Sequence, residues 1–350
     1  MAIKGKITEN SYRQNMLDSS SSLKEFSMDR KKYYKKYMLL EKIEEKDNQA
    51  ATMGRIVETL LLEPEEFDNR FYLSSSVSAP TGLMLAFVEG LYKVSKNATN
   101  EQGIVNATFQ DIAQEAYEIA GYKIPLETVL NKFSGSDAQI YFNEIKTIRG
   151  RNLTVVTSND VTFATRNVES LQTNFATKKV VNLINSIRYD VINQVQFSDY
   201  KIDDIGLKSM IDKLVIDHDE KVIKIYDLKC TWSVENFLED YYLYRRSYIQ
   251  AYLYHQVILQ KTLDNTHDWF GYSVDYPYFI VCDSTNYYNP LIYSTSEEDM
   301  KRAYNGFVRR ERYYPGVKEI IEDLKWAINN NIWNISKNNF ETNGLIKLDK

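Results

Sequence analysis

Apolar and polar positions along the chain change period as the sequence proceeds, from helical to alternating and back. In residues 19–73 the serine run Ser19 to Ser22 ahead of LKEF suits a helix N-cap. In ATMGRIVETLLLE, Met53, Ile56, Val57, Leu60 and Leu61 recur at the 3.6-residue interval, and Pro64 marks the stop. Glu58 stands inside that apolar pattern, an unusual place for a carboxylate. Residues 74–187 read as mostly helical. Phe109, Ile112, Ala113, Ala116, Tyr117 and Ala120 mark one amphipathic helix, Pro125 opens another, and Val161, Ala164, Val168 and Leu171 mark a third. The polar stretch Gly135 to Val155, with Lys146, Arg149 and Arg151, reads as a loop or lid.

From residue 189 the period falls to two. Val191, Asn193, Val195 and Phe197 alternate with Ile192, Gln194 and Gln196. KSMIDKLVID and KVIKIYDLK then flank the polar segment Asp217 to Lys221, the pattern of an antiparallel hairpin. Helical spacing returns from Ser233 to Leu259, WFGYSVDYPYFIVC supplies one more strand or two, and Ser296 with Asp299 predicts a capping box opening a helical tail through about Trp333. The sequence therefore predicts an α/β (α+β) chain. Its parts are a helical front (1–73), a mostly helical insertion or lobe (74–188), a sheet with its following helix (189–293) and C-terminal helices (294–350), within one compact domain.

Composition narrows the class. With 350 residues, 43% hydrophobic and 26% charged, the chain can bury a sizeable core, and disorder and collagen-like repeats are excluded. Two cysteines, Cys230 and Cys282, provide neither a disulfide framework nor a CxxC knuckle, which points to a reducing compartment. The start, MAIKGKITENSYRQN, shows no apolar leader, and no stretch approaches the ~20 apolar residues of a membrane span. The expectation is a cytoplasmic protein without a membrane partner. A net charge of −5 means that any polyanion must be met by local basic patches, such as Arg30, Lys31 and Lys32 in the run that ends at Lys36.

The chemistry concentrates on the hairpin. Asp227 and Lys229 are two apart on a strand, so both point to one face. An even-numbered loop, His218 to Lys221, would set Asp212 opposite Asp227. A three-residue loop would set Asp212 against Tyr226 on the other face. In the even register two carboxylates face each other at roughly 5 Å, a pair that is repulsive unless a cation intervenes. Hard oxygen ligands of this kind suit Mg²⁺ or Mn²⁺, and the neighbouring lysine suits charge developing on a phosphoryl group. Glu58 would join from the front helix, where Gly54 one turn earlier permits close approach to the sheet. On the helix after the hairpin, Arg246, Gln250 and Tyr254 are spaced to form one stripe suited to a phosphate and a base or sugar. A lone acid-x-Lys triplet arises by chance roughly several times in a chain with 48 acidic residues, so the context carries the signal.

The order Glu58 in GRIVETLLLEP, Asp212 in KSMID, Asp227-Leu228-Lys229 and Gln250 to Tyr254 resembles the PD-(D/E)XK nuclease superfamily, in its RecB-like branch. SSSSLKEF, KKYYKKY and YRRSYIQAYLY make the resemblance greatest to exonuclease VIII and its phage relatives, over about residues 19–73 and 189–283. The resemblance implies a restriction-endonuclease-like core, a mixed central sheet flanked by helices. It implies Mg²⁺-dependent digestion of linear double-stranded DNA, 5′ to 3′, by a homo-oligomer in the cytoplasm, that of the host if the chain is phage-encoded, with a single-strand annealing protein as partner. It assigns Glu58, Asp212, Asp227 and the Leu228 carbonyl to the metal, Lys229 to catalysis, and Gln250 and Tyr254 to the family's QxxxY element. Glu58 stands where relatives often carry His, and Ile211 where the superfamily's name has proline. The alternatives are a RecB-like defence or adaptation nuclease, whose relatives commonly use four cysteines where this chain has two, and a nucleic-acid-binding protein that kept the fold without turnover.

Overall fold

A computed structural model describes residues 17–41, 49–74, 78–99, 106–285 and 288–346; the N-terminal start read above for a leader lies outside them. In chain order the principal elements begin with α1 (Ser20–Met28), α2 (Gln49–Leu62), β1 (Phe71–Leu73), α3 (Gly82–Asn97), α4 (Phe109–Ala120), α5 (Leu126–Phe133), α6 (Asp137–Arg151) and β2 (Thr154–Val156). They continue with α7 (Ser158–Thr173), β3 (Tyr189–Ile202), β4 (Ile205–Asp217), β5 (Val222–Thr231) and α8 (Ser247–Leu263). The last are β6 (Ser273–Val274), β7 (Tyr278–Asp283), β8 (Leu291–Ser294), α9 (Glu297–Asn305), β9 (Phe307–Arg309), β10 (Arg312–Tyr314) and α10 (Val317–Asn330). The chain forms two compact units, one of Met1–Glu63 with Phe163–Lys350, the other Pro64–Thr162.

The first unit is built on a mixed sheet in the order β3-β4-β5-β7-β8, with β6 also beside β5. Neighbours run antiparallel except β5 with β6 and β7, which are parallel. Helices flank it on both faces. Gln250 of α8 meets Asp227 on one side of β5, whereas Gly54 of α2 lies over Cys230, whose side chain the pleat sends to the other side. Leu23 and Phe26 of α1, Ile249, Leu253 and Val257 of α8, and Ile320 and Leu324 of α10 form one core with Leu214, Ile216, Ile223 and Ile225 of the sheet. This is an α/β architecture, a central mixed sheet flanked by helices.

Local signals explain the starts of two helices. Ser19 and Ser22 form a reciprocal capping box on α1, and Ser296 with Asp299 does the same for α9. The tail is not one continuous helical region. Gly306 at φ 82° ends α9, and Arg310 and Glu311, both at positive φ, turn the short hairpin β9–β10 before α10 begins.

In the second unit Phe87, Leu91, Ile112, Ala116, Val129 and Phe133 belong to a separate helical core, and β1 pairs with β2 in parallel. A Cβ on Gly90 would lie 3.1 Å from the Cα of Ala116, so the backbones of α3 and α4 approach closely there. The polar stretch expected as a loop or lid is mostly α6. It buries only Ala138 and Ile145, seven apart on one stripe, which left too thin an apolar pattern to read as a helix. No helix among the described residues is long and apolar enough to cross a membrane.

Candidate active site

The site forms where two strands part. Pairing of β4 with β5 runs from Asp217↔Val222 to Lys213↔Tyr226, so the loop is His218 to Lys221 and the even register holds. One step further Asp212 stands across from Asp227, and the pairing stops. Beyond this point β4 continues with β3, while β5 pairs with β7 from Tyr226↔Tyr278 to Thr231↔Asp283. In place of a ladder bond, the backbone N–H of Leu228 donates to Asp212 Oδ2 at 2.7 Å.

Both carboxylates are buried, Asp227 at 1% exposure and Asp212 at 8%. Asp227 Oδ1 accepts from Gln250 Nε2 at 2.9 Å, and its Oδ2 meets the Lys229 ammonium in an ion pair. Burial first, then the charges of Asp227 and Glu58, push the Asp212 carboxyl well above the usual carboxylate range; Lys229 and the Leu228 N–H act in the opposite sense. Burial opposes the Lys229 charge, but Asp227, Asp212 and Glu58 outweigh it and hold the amine above its ordinary pKa. These four groups therefore lie within one another's electrostatic reach, and Lys229 is protonated at neutral pH.

Glu58 comes from α2, whose apolar residues Met53, Ile56 and Val57 are buried. A Cβ on Gly54 would sit 3.6 Å from Cys230 Cβ, an ordinary contact that sets how near the helix lies to β5. Glu58 Oε1 accepts from Gln194 Nε2 at 2.6 Å. Gln194 falls between the pairs Asn193↔Lys213 and Val195↔Ile211, level with Asp212. Its backbone is left-handed, φ 52°, and both it and the adjacent Val195 are buried, so strand alternation breaks at this residue. Sequence reasoning missed Gln194 because in an alternating strand it reads as an ordinary polar position.

On α8, Gln250 Nε2 also donates to Tyr254 Oη at 2.7 Å, and Tyr254 Oη donates to the Met210 carbonyl of β4. The QxxxY pair thus ties β4, β5 and α8 together. Arg246 precedes the helix in a left-handed conformation, φ 55°, and its guanidinium donates to Ser27 at the end of α1. Arg30 pairs with Asp323 and lies over the Phe26 ring, Lys32 pairs with Glu25, and Lys31 is exposed. No hydrogen bond or ion pair joins these three to Glu58, Asp212, Asp227 or Lys229. Lys24 on α1, another residue not anticipated from sequence, donates to Gln250 Oε1 at 3.2 Å.

Among the described residues no group of three or more His, Cys, Asp or Glu side chains is set to hold a metal ion by itself. Mg²⁺ does not require such a cage. It binds through one or two carboxylates and keeps waters or phosphate oxygens in its other positions. Two mutually repelling buried carboxylates with hard oxygen donors fit that demand, with the Leu228 carbonyl and Glu58 as further oxygens nearby in sequence and field.

No protein-family model and no curated protein matches the chain. A solved structure of a Eubacterium rectale protein, described provisionally as an exonuclease, is similar over 99% of this chain and 96% of that one, at a TM-score of 0.48 and 11% identity. The functional reading rests on the residues of the site.

Proposed function

We propose that the protein is a divalent-metal-dependent nuclease that hydrolyses phosphodiester bonds of linear double-stranded DNA from an end. The observation that carries this reading is the facing pair Asp212 and Asp227, buried at a strand fork with Lys229 bonded to one of them. Such a pair is costly in isolation and is relieved by a cation. Asp212 and Asp227, with the Leu228 carbonyl and Glu58, would hold Mg²⁺ or Mn²⁺. Bound there, the ion would supply Lewis acidity to the scissile phosphate and acidify the attacking water.

The chain's own groups then have distinct tasks. Lys229, protonated and anchored on Asp227, offers its remaining protons to phosphoryl oxygens, where negative charge grows in the transition state. Gln250 fixes the rotamer of Asp227, and Tyr254 fixes Gln250. Gln194 aims Glu58. The polarity of digestion, 5′ to 3′, and assembly into a ring-like homo-oligomer that works with a single-strand annealing protein extend the proposal on the strength of the motif resemblance.

The test is digestion of a linear duplex labelled at either end, with Mg²⁺, Mn²⁺ or excess chelator, alongside Asp227→Asn. Metal-dependent release of nucleotides by the wild type and none by the variant supports the reading. Release that persists in chelator, or an equal rate in the variant, overturns it.

A further inference from the structure

The front helix α1 brings a second lysine to the site. A primary amide has one accepting edge and one donating edge, and Gln250 uses both. Its Nε2 donates to Asp227 Oδ1 and Tyr254 Oη, at 2.9 and 2.7 Å, and its Oε1 accepts from Lys24 Nζ at 3.2 Å. Turned over, the amide would set its oxygen against the Asp227 carboxylate and its N–H₂ against an ammonium, unfavourable at both ends. Lys24, which as an ammonium is a donor without acceptor capacity, then permits only the observed orientation. Among the described residues no carboxylate lies within ion-pair distance of Lys24, so an amide oxygen is its hydrogen-bond partner. Burial and the nearby Lys229 charge bring its pKa down to about 7, with Asp227 opposing. An amine whose charge is opposed in this way, yet whose Nζ sits on the accepting edge of a motif residue, calls for a role that an apolar side chain would not fill.

We propose that Lys24 is a positioning residue of this site, locking the Gln250 amide so that its donating edge stays on Asp227 and holds that carboxylate in its working rotamer. The proposal rests on the nuclease reading and adds to it a residue of α1 to which the motif resemblance assigns no role. Lys24 acts through Gln250 and touches neither Asp227 nor Lys229 by any hydrogen bond.

The experiment is steady-state cleavage of an end-labelled duplex by wild type, Lys24→Met, Lys24→Arg, Gln250→Leu and the Lys24→Met/Gln250→Leu double variant, each checked for folding by thermal melting. Removing a group that orients the residue next to a ligand typically costs about 10–100-fold. Lys24→Met should lose that much in kcat while KM for the duplex changes less than about 3-fold. Lys24→Arg, which keeps a charged donor, should recover most of it. The double variant should be no slower than Gln250→Leu alone, because one pathway has been cut twice. Lys24→Met at the wild-type rate, losses that multiply in the double variant, or a loss that follows the fraction unfolded would overturn the proposal. A wild type that does not cleave at all would remove the nuclease reading and this proposal with it. A wild type that cleaves beside an unaffected Lys24→Met would remove this proposal alone.

Discussion

Lys24→Met should make the metal-free protein more stable near neutral pH and change how its stability depends on pH. In the folded chain the Lys24 pKa falls from 10.5 to about 7, chiefly through burial. A lysine with a depressed folded pKa costs stability whenever it must carry its charge in the folded state. That cost is complete below about pH 7. It disappears as pH rises toward the unfolded value, because between these limits the unfolded chain binds more protons than the folded one. At about 1.4 kcal/mol per pH unit the fall corresponds to about 5 kcal/mol. Lys24 is only half-buried as a whole residue, and screening by solvent reduces this to roughly 2–3 kcal/mol. Methionine keeps the length, removes the charge and forfeits one hydrogen bond worth ~1 kcal/mol. The variant should therefore gain roughly 1–2 kcal/mol at pH 6–7, and the gain should shrink to nothing or reverse by about pH 10. Urea unfolding in chelator, followed by tryptophan fluorescence, is the assay. All of the chain's Trp residues, Trp232, Trp269, Trp326 and Trp333, lie in the unit that contains Lys24. Lys213, buried and pushed down to about 8, adds a slope of the same sign to both proteins and cancels in the difference. A difference curve flat from pH 6 to 10, or a variant less stable at pH 6 than at pH 10 relative to wild type, would refute the reasoning.

Other substitutions test separate parts of the account. Asp212→Asn removes one of two repelling carboxylates yet keeps an oxygen for the Leu228 N–H, so the metal-free protein should melt a few degrees higher while cleavage falls below detection; a lower melting temperature would count against the repulsion. Tyr254→Phe takes the tyrosyl donor from the Met210 carbonyl and one of two acceptors from Gln250 Nε2, and should cost about 1–3 kcal/mol in chemical unfolding, along with activity. At Gly54, alanine makes only an ordinary contact with Cys230 and should be neutral or stabilising by up to ~1 kcal/mol, whereas leucine should push α2 from the sheet and reduce cleavage more than stability. Gly316→Ala would drive a Cβ into the backbone around Tyr304 and Gly306, and thermal melting should show a loss of roughly 3 kcal/mol or more.

What the sequence made legible follows from which forces are local. Period-two alternation and the polar break after Asp217 located the β4–β5 hairpin, and two-residue spacing placed Asp227 and Lys229 on one face. The register was open by one residue, because turn length alone decides it and nothing in Asp217 to Lys221 specifies that length. Arg246 stands one residue before the true start of α8 in a left-handed conformation, which helical spacing alone does not reveal. Gln194 and Lys24 could not be found in this way. A positive φ in mid-strand has no signature in residue type, and Lys24 is one of 43 basic residues until its distance from Gln250 is known.

The fork itself explains why these residues occur together. Where β4 leaves β5, each strand exposes backbone groups that the ladder no longer pairs, and a buried N–H without a partner is costly. Asp212 meets that need at Leu228, so a carboxylate that would be expensive alone becomes part of the solution to strand separation. Asp227 stands on the other strand at the same level, and its negative charge needs partners in turn, which Lys229 and Gln250 provide. The sheet is thus held open by the same acidic groups that favour a cation between the strands. Closing the fork with a full ladder would bring stability and lose the site, and opening it without the acids would leave the backbone unpaired.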